Sequence, residues 1–251
     1  METIFDIGAN NGDDSYFYLQ KGFRVIGVEA NPSLCDDLRK RFEAEILNKQ
    51  FVLIEKAIVA DETVSFVDFF INQRNSHWSS IFSHYGEREG GSVRVEIPTI
   101  TASSLLRSYG VPYYMKVDVE GMDIEIVKAL KKFKKPKYVS IEEFQGVRCL
   151  EALLDAGFNR FKLVSQRVKN PAEAPFPSLE GHYFAKTFTG EDSGCFGKEL
   201  AGNWLNFDHA VNFMRKFIRG DDGVWVGEEG EWFDVHATQS LWKRALGHLR
   251  F

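Results

Sequence analysis

Cysteine is scarce in this sequence, and its three copies lie far apart. Cys35, Cys149 and Cys195 form no C-x-x-C pair, which argues against a zinc site or a disulfide framework. The sequence also lacks an apolar run as long as a transmembrane helix, and it shows no N-terminal leader. We therefore expect free thiols, a cytoplasmic location and no membrane span.

Positive charge is not in excess either. The 31 Lys and Arg residues are outnumbered by 36 Asp and Glu residues, which gives a formal net charge of −5. Nucleic-acid binding is disfavoured, because proteins with that function usually carry a basic surface. A run of lysines between positions 128 and 137 follows a predicted helix, where cations complement the helix dipole. We interpret this run as a solvated helix end.

The sequence does contain a regular alternation of predicted strands and helices, which is typical of an α/β fold. We predict a doubly wound, mostly parallel seven-stranded sheet whose last strands, residues 161–166 and 181–188, form an antiparallel hairpin. Residues 1–188 would form this domain, and residues 189–251 would form a C-terminal extension that covers the active face. The polar loop at residues 72–92 is long enough to act as a lid.

The most informative segment is FDIGANNGDDS, residues 5–15, in which a short apolar strand leads into a glycine-rich turn. Gly8 and Gly12 allow the backbone to turn sharply and to approach a ligand closely. Asp6, Asp13 and Asp14 would repel a pyrophosphate bound at the next helix, but they suit a cationic ligand such as S-adenosylmethionine. Asp13 and Asp14 also have a local explanation, as first-turn residues that stabilise the helix dipole.

A further carboxylate, Glu29, ends the second predicted strand 17 residues after Gly12. At that position a carboxylate can accept hydrogen bonds from both hydroxyls of a ribose. A ribose site alone does not distinguish a methyl donor from a nicotinamide dinucleotide. The chain has no Tyr-x-x-x-Lys spacing, however, which a short-chain dehydrogenase would need.

Four more carboxylates follow the later strands. Ligands of open α/β sheets bind beyond the carboxyl ends of the strands, so the predicted rim of the site contains Asp118, Glu120, Glu142 and Glu143. Asp118 is the first candidate for a base that takes a proton from an acceptor hydroxyl, followed by Glu142 or Glu143. An equally weighted alternative is that Asp118 orders its own loop.

Other assignments of the catalytic chemistry are weaker. Three histidines are alternative bases: His77, His84 and His236. A group of Asp118, Glu142 and Glu143 could hold Mg²⁺, but the sequence shows no dedicated ligand spacing, so no metal is predicted.

Four segments occur together and in order: DIGANNGDDSYFYL, VIGVEANPSLCDDL, VEIPTITASSLL and MKVDVEGMDIEIVKAL. With them the chain resembles the FkbM family of S-adenosylmethionine-dependent methyltransferases, within the class I, Rossmann-like enzymes, over about residues 3–145. The resemblance implies S-adenosylmethionine as cofactor. It also implies O-methylation of a sugar or secondary-metabolite hydroxyl, with a small molecule or glycan as the acceptor.

The resemblance also implies roles for individual residues. The methionine part of the cofactor would be lined by Asp6, Gly8, Ala9, Asn10 and Gly12. The adenosine part would meet Glu29 at its ribose hydroxyls and, around the base, Ala30, Asn31 and Ala57. Asp118 and Glu120 would stand at the mouth of methyl transfer. Two alternative functions stay open: a nicotinamide-dependent oxidoreductase, and a non-catalytic module that binds an adenosyl ligand.

Overall fold

The computed structural model describes residues 1–190 and 192–239. Within them the strands are β1 (Thr3–Ile7), β2 (Arg24–Glu29), β3 (Phe51–Glu55), β4 (Ala57–Val59), β5 (Phe66–Asn72), β6 (Ser92–Thr101), β7 (Tyr114–Val117), β8 (Tyr138–Glu142), β9 (Arg160–Ser165) and β10 (Phe233–Thr238). Seven of them form one sheet in the order β3-β2-β1-β7-β8-β10-β9. Within this sheet, β3, β2, β1, β7 and β8 run parallel to one another, and β10 is antiparallel to both of its neighbours, β8 and β9. The predicted doubly wound, mostly parallel seven-stranded sheet is confirmed.

The α-helices of the described residues are α1 (Asp13–Gln20), α2 (Pro32–Arg41), α3 (Glu43–Leu47), α4 (Ser83–Gly86), α5 (Ala102–Tyr109), α6 (Asp123–Ala129), α7 (Val147–Asp155) and α8 (Phe207–Phe217). Local sequence sets several starts. Asn31 accepts the Ser33 N–H ahead of α2, where Pro32 occupies the first turn, and Thr101 caps α5. None of these helices is long and apolar enough to cross a membrane.

The alternation of side chains along the strands divides the core between the two faces of the sheet. Phe5 of β1 belongs to a largely aliphatic cluster with α5, α6, α7 and α8, whereas the adjacent Ile4 faces an aromatic cluster with α1 and α2. In the aromatic cluster Tyr114 stacks on Phe196 at a centroid distance of 4.5 Å. Both faces of the sheet are therefore covered, as a mostly parallel sheet requires.

A second, smaller sheet has the order β4-β6-β5. Strands β3 and β4 follow each other closely in the chain, but they separate at Lys56 and join different sheets. The loop between β5 and β6 is the predicted lid segment, and it contains a 3-10 turn (Ser76–Trp78) and α4. Strand β5 pairs with β6 in antiparallel register, so the base of this loop is fixed.

The predicted hairpin strand at residues 181–188 is wrong. That segment forms only an isolated bridge between Glu173 and Thr187, and the antiparallel partner of β9 is β10. Segment 232–238 shows a clearer alternation of apolar and polar residues than segment 181–188. Its alternate residues Phe233, Val235 and Ala237 are buried in the aliphatic cluster. The predicted extension at residues 189–251 thus supplies one strand of the central sheet. The division of the chain at residue 188 stays a prediction.

Candidate functional site

A cleft of about 710 Å³ lies at the carboxyl ends of β1, β2, β7 and β8. Its other walls come from the loop after β5, from Gly190, Asp192 and Ser193, and from the approach to β10. Ligand sites in open α/β sheets occupy this edge. The volume is in the range of ordinary small-molecule sites. This cleft is the candidate active site.

The glycine turn after β1 forms one wall of the cleft through Gly8, Ala9 and Asn10. Gly8 has φ +86°, and a Cβ added there would lie 1.9 Å from the carbonyl oxygen of Asp118. Glycine at this position therefore lets the turn after β1 touch the loop after β7. Gly12 also has positive φ, but its missing Cβ makes room for Leu38. The structure places Gly12 outside the cleft, contrary to the prediction.

Asp6 lies beneath the cleft and does not line it. The residue is fully buried, Ser15 Oγ donates to its carboxylate at 2.5 Å, and Lys116 Nζ is 3.6 Å away. Burial raises the pKa of Asp6 to about 6, against the opposing effect of Lys116. Asp6 therefore holds Ser15 and Lys116 beneath the cleft and is not placed to contact a ligand directly, although the sequence analysis predicted that contact.

Lys116 is the central cation of the cleft floor, and the sequence analysis missed it. Its Nζ lies 3.1 Å from Asp118 and 3.2 Å from Asp14, in addition to the contact with Asp6. Burial acts to lower the pKa of Lys116, but the three carboxylates outweigh it and raise that pKa. The available signal was a lysine inside an otherwise apolar strand, which needs an anionic partner.

Glu29 lines the cleft, with its carboxylate already held by the backbone. One oxygen accepts the N–H groups of Ala30 and Asn31 at 2.9 and 2.8 Å, and the other accepts that of Asn10 at 2.8 Å. Burial raises the pKa of Glu29 despite these three donors. A carboxylate offers about four acceptor positions. About one therefore remains for a ligand hydroxyl, where the sequence predicted bonds to two.

The end of the cleft beyond Glu29 is largely apolar. It is lined by Ala30 and Ala57 and by the aliphatic side chains of Val28, Leu34 and Ile58. A flat, apolar adenine ring fits such a surface. Asn31 is buried and caps α2, so the structure places it beside the cleft and not on its wall.

The predicted rim carboxylates separate into two groups. Asp118, Glu120 and Glu142 line the cleft. Burial raises the pKa of Glu120 to about 7, although Arg88 lies 3.3 Å away and lowers it. Glu143 faces the other way, where it accepts the Gly146 N–H and pairs with Arg219 at 3.2 Å.

The position of Glu143 bears on two predictions. Successive residues point to opposite sides of extended chain, so Glu142 and Glu143 cannot both face the cleft. The structure therefore contradicts the catalytic position predicted for Glu143. The suggested Mg²⁺ ligands, Asp118, Glu142 and Glu143, are therefore not brought together. Within residues 1–190 and 192–239, no cluster of three or more potential ligands is arranged to hold a metal.

The loop after β5 closes one side of the cleft. His77 Nδ1 lies 3.1 Å from Asn10 Nδ2, and Ser80 Oγ donates to the carbonyl of Glu120 at 2.8 Å. Of the three candidate histidines, His77 lines the cleft, whereas His84 does not. His236 is buried in the sheet, and burial lowers its pKa to about 3, which keeps the ring neutral.

Residues near the end of the described chain complete the cleft, and the sequence did not point to them. Trp232 and Asp234 line the wall opposite the glycine turn, with Asp192 and Ser193 nearby. Burial raises the pKa of Asp234 to about 8, with a contribution from Asp118. The alternating pattern around β10 was the available signal, since it places Asp234 on the polar face of a strand.

Solved structures with related folds include a precorrin-6y C5,15-methyltransferase from Geobacter metallireducens GS-15, at 12% identity, covering 95% of this chain and 80% of that one, TM-score 0.42. A geranyl diphosphate C-methyltransferase from Streptomyces coelicolor A3(2) gives 9% identity, 96% and 74% coverage and TM-score 0.42. A methyltransferase FkbM from Methylobacillus flagellatus KT gives 13% identity, 62% and 35% coverage and TM-score 0.34.

Among curated proteins, none matches the sequence. The family model described as the methyltransferase FkbM domain does match, over residues 6–159. These residues hold the glycine turn, Glu29, Asp118 and Glu142, and they make up more than half of the 251-residue chain. The chain therefore belongs to the FkbM family of methyltransferases, and its cofactor is S-adenosylmethionine.

Proposed function

We propose that this methyltransferase transfers the methyl group of S-adenosylmethionine to a hydroxyl of a sugar or secondary metabolite. The observation that carries the proposal is the position of Asp118. Its carboxylate is 44% exposed in the cleft, and its backbone oxygen touches the glycine turn. A carboxylate in this place is available to an acceptor hydroxyl beside the methionine end of the cofactor.

The residues of the cleft fit this cofactor. Carboxylates line the end near the glycine turn, where the cofactor's ammonium and sulfonium groups would lie. Glu29 and Asn10 would hold the ribose region, and Ala30 and Ala57 would border the adenine. The bound cofactor supplies a methyl carbon that is activated by its positive sulfur. The protein has to align the acceptor oxygen with that carbon and exclude water.

Asp118 has the role of proton acceptor in this proposal. The hydroxyl proton would pass to a carboxylate oxygen of Asp118 as the acceptor oxygen bonds to the methyl carbon, while the bond from that carbon to sulfur breaks and S-adenosylhomocysteine leaves. Lys116, 3.1 Å away, holds the Asp118 carboxylate in place. His77 and Trp78, on the loop after β5, would cover the acceptor.

The alternatives make different predictions about ligands. Membership of a methyltransferase family argues against the nicotinamide-dependent oxidoreductase. A non-catalytic module would bind S-adenosylhomocysteine and transfer no methyl group to any acceptor. Calorimetric titration with S-adenosylhomocysteine and NAD therefore comes first, and binding of NAD alone would refute the proposed function.

The catalytic test uses S-adenosylmethionine with a ¹³C-labelled methyl group and a panel of sugars and hydroxylated metabolites. We expect an O-methyl product, identified by its ¹³C chemical shift. Asp118→Asn should reduce kcat by about 10²- to 10⁴-fold. Glu125→Gln is the matched control, because Glu125 is an exposed carboxylate on α6 outside the cleft. An Asp118→Asn enzyme with normal kcat would remove Asp118 as the base.

A further inference from the structure

Two carboxylates face each other at the end of the cleft away from the adenine region. Asp234 of β10 is paired directly opposite Glu142 of β8 in the antiparallel register. Residues directly opposite each other have Cβ atoms about 4.5–5.5 Å apart on the same face of the sheet. Both side chains line the cleft. We call Asp234 and Glu142 the carboxylate pair.

Asp234 differs from Asp14, Asp192 and Glu29, three other buried carboxylates of the cleft, in that its carboxylate has no partner. Asp14 and Asp192 pair with lysines at 3.2 and 2.5 Å, and Glu29 accepts three backbone N–H groups. Asp234 is 8% exposed, and its carboxylate makes no hydrogen bond or ion pair within residues 1–190 and 192–239. A buried carboxylate without a partner is unfavourable, so the cleft presents a group that a ligand can satisfy.

The surroundings of the carboxylate pair are themselves negatively charged, which favours the protonated form of both members. Asp118 raises the pKa of both members, and Glu120 raises that of Glu142. Lys116 and Lys169 lower the pKa of Asp234, but neither lies within ion-pair distance of it. Lys116 is already shared by Asp6, Asp14 and Asp118. Among the described residues, the protein's own cations therefore leave the carboxylate pair without a cation in contact.

Aromatic side chains stand next to the carboxylate pair. Trp232 and Phe144 both line the cleft, each two positions from one member of the pair. A site that combines carboxylates with aromatic faces is suited to an organic cation. A phosphorylated or carboxylated group would be repelled there.

We infer that the carboxylate pair, with Trp232 and Phe144, binds a protonated amine of the methyl acceptor. The inference rests on the proposed function, because it assigns the acceptor rather than the cofactor to this end. The acceptor class is then an amine-bearing sugar or metabolite whose amine lies on the same molecule as the methylated hydroxyl. Burial raises the pKa of Asp234 to about 8, so a bound amine favours the ionised form of this carboxylate and Asp234 releases a proton to solvent.

The test compares D-glucosamine with N-acetyl-D-glucosamine, which has the same ring but no charge. Titrations are run on the protein with and without S-adenosylhomocysteine, in two buffers of different ionisation enthalpy at pH 7. We expect glucosamine to bind about 10- to 100-fold more tightly, with proton release. Asp234→Asn and Glu142→Gln should each remove most of the preference and the proton release. Glu229→Gln, an exposed acid outside the cleft, should retain both.

Several results would overturn the inference. Equal affinity for the two sugars in the wild-type protein is one, and an unchanged preference in both variants is another. Loss of S-adenosylhomocysteine affinity in Asp234→Asn would assign the carboxylate pair to the cofactor. A wild-type protein that binds no S-adenosylhomocysteine would refute the proposed function instead. In that case the glucosamine titration without it still decides the preference for an amine.

Discussion

Replacing Lys116 by methionine tests whether the floor of the cleft depends on one cation. The substitution removes the charge and keeps a long side chain, so Asp6 and Asp14 become buried carboxylates without their cation. Breaking a buried ion pair from one side costs about 3–5 kcal/mol. At roughly 2–4 °C per kcal/mol for a protein of this size, Tm should fall by about 6–20 °C.

Lys131→Met is the matched control. Lys131 pairs with Asp155 at 2.7 Å, and both side chains are about 60% exposed. Exposed pairs contribute about 0–1 kcal/mol, so this variant should lose at most about 4 °C. Urea unfolding at pH 7 measures both free energies of unfolding. Equal losses in the two variants would refute the reasoning that burial gives Lys116 its importance.

The cost of Lys116→Met should also depend on pH. Asp6 has a folded pKa of about 6, above the usual 3.8, so its protonated form is favoured by folding. Its contribution to stability is therefore present below pH 4 and is lost as pH rises through 6. Without Lys116 the folded pKa rises further. The difference in unfolding free energy between wild type and Lys116→Met should shrink between pH 7 and pH 4.

Three further predictions follow from the site. Gly8→Ala should lower the free energy of unfolding by about 2–5 kcal/mol, because the alanine is strained at positive φ and its Cβ clashes with the carbonyl oxygen of Asp118. Gly223→Ala is the control: with φ +79° and open space around it, it should lower that free energy by only about 1–2 kcal/mol. Urea unfolding measures both values. Asp234→Asn should stabilise the ligand-free protein above pH 8, because Asp234 has a folded pKa of about 8 and its ionisation lowers stability as pH rises through that value. Thermal scans of wild type and variant at pH 6 and pH 9 measure the effect. An equal Tm difference between the two proteins at both pH values would contradict the prediction. Arg219→Met should lower the free energy of unfolding by about 3–5 kcal/mol, because it leaves the buried carboxylate of Glu143 without its cation. Since Glu143 lies outside the cleft, the affinity for S-adenosylhomocysteine, measured by calorimetry, should not change. Weaker binding would place Glu143 in the site.

Local sequence patterns were sufficient for the part of the site around β1 and β2. A glycine that must adopt positive φ and a carboxylate at the end of a strand are visible within a few residues, so Gly8, Glu29 and Asp118 were found in the cleft. Gly12 has the same local signature as Gly8 but packs against α2. Sequence alone could not separate the two glycines, because the difference depends on what lies opposite each one in three dimensions.

The far wall of the cleft was not predictable in the same way. Asp234 reaches it because β10 is inserted between β8 and β9, and that pairing joins residues distant in the chain. The rim position predicted for Glu143 was wrong for a simpler reason. Consecutive carboxylates at a strand end point to opposite faces of the sheet, so only Glu142 could enter the cleft.

The insertion of β10 has a consequence for synthesis on the ribosome. Phe233 follows Ser165 by 68 residues, so the edges of β8 and β9 have no partner while this stretch is made. At about 5–20 residues per second, that interval lasts roughly 3–14 s. Unpaired strand edges are templates for aggregation. A nascent chain stalled in this interval would therefore expose two such edges and lack the wall that carries Asp234.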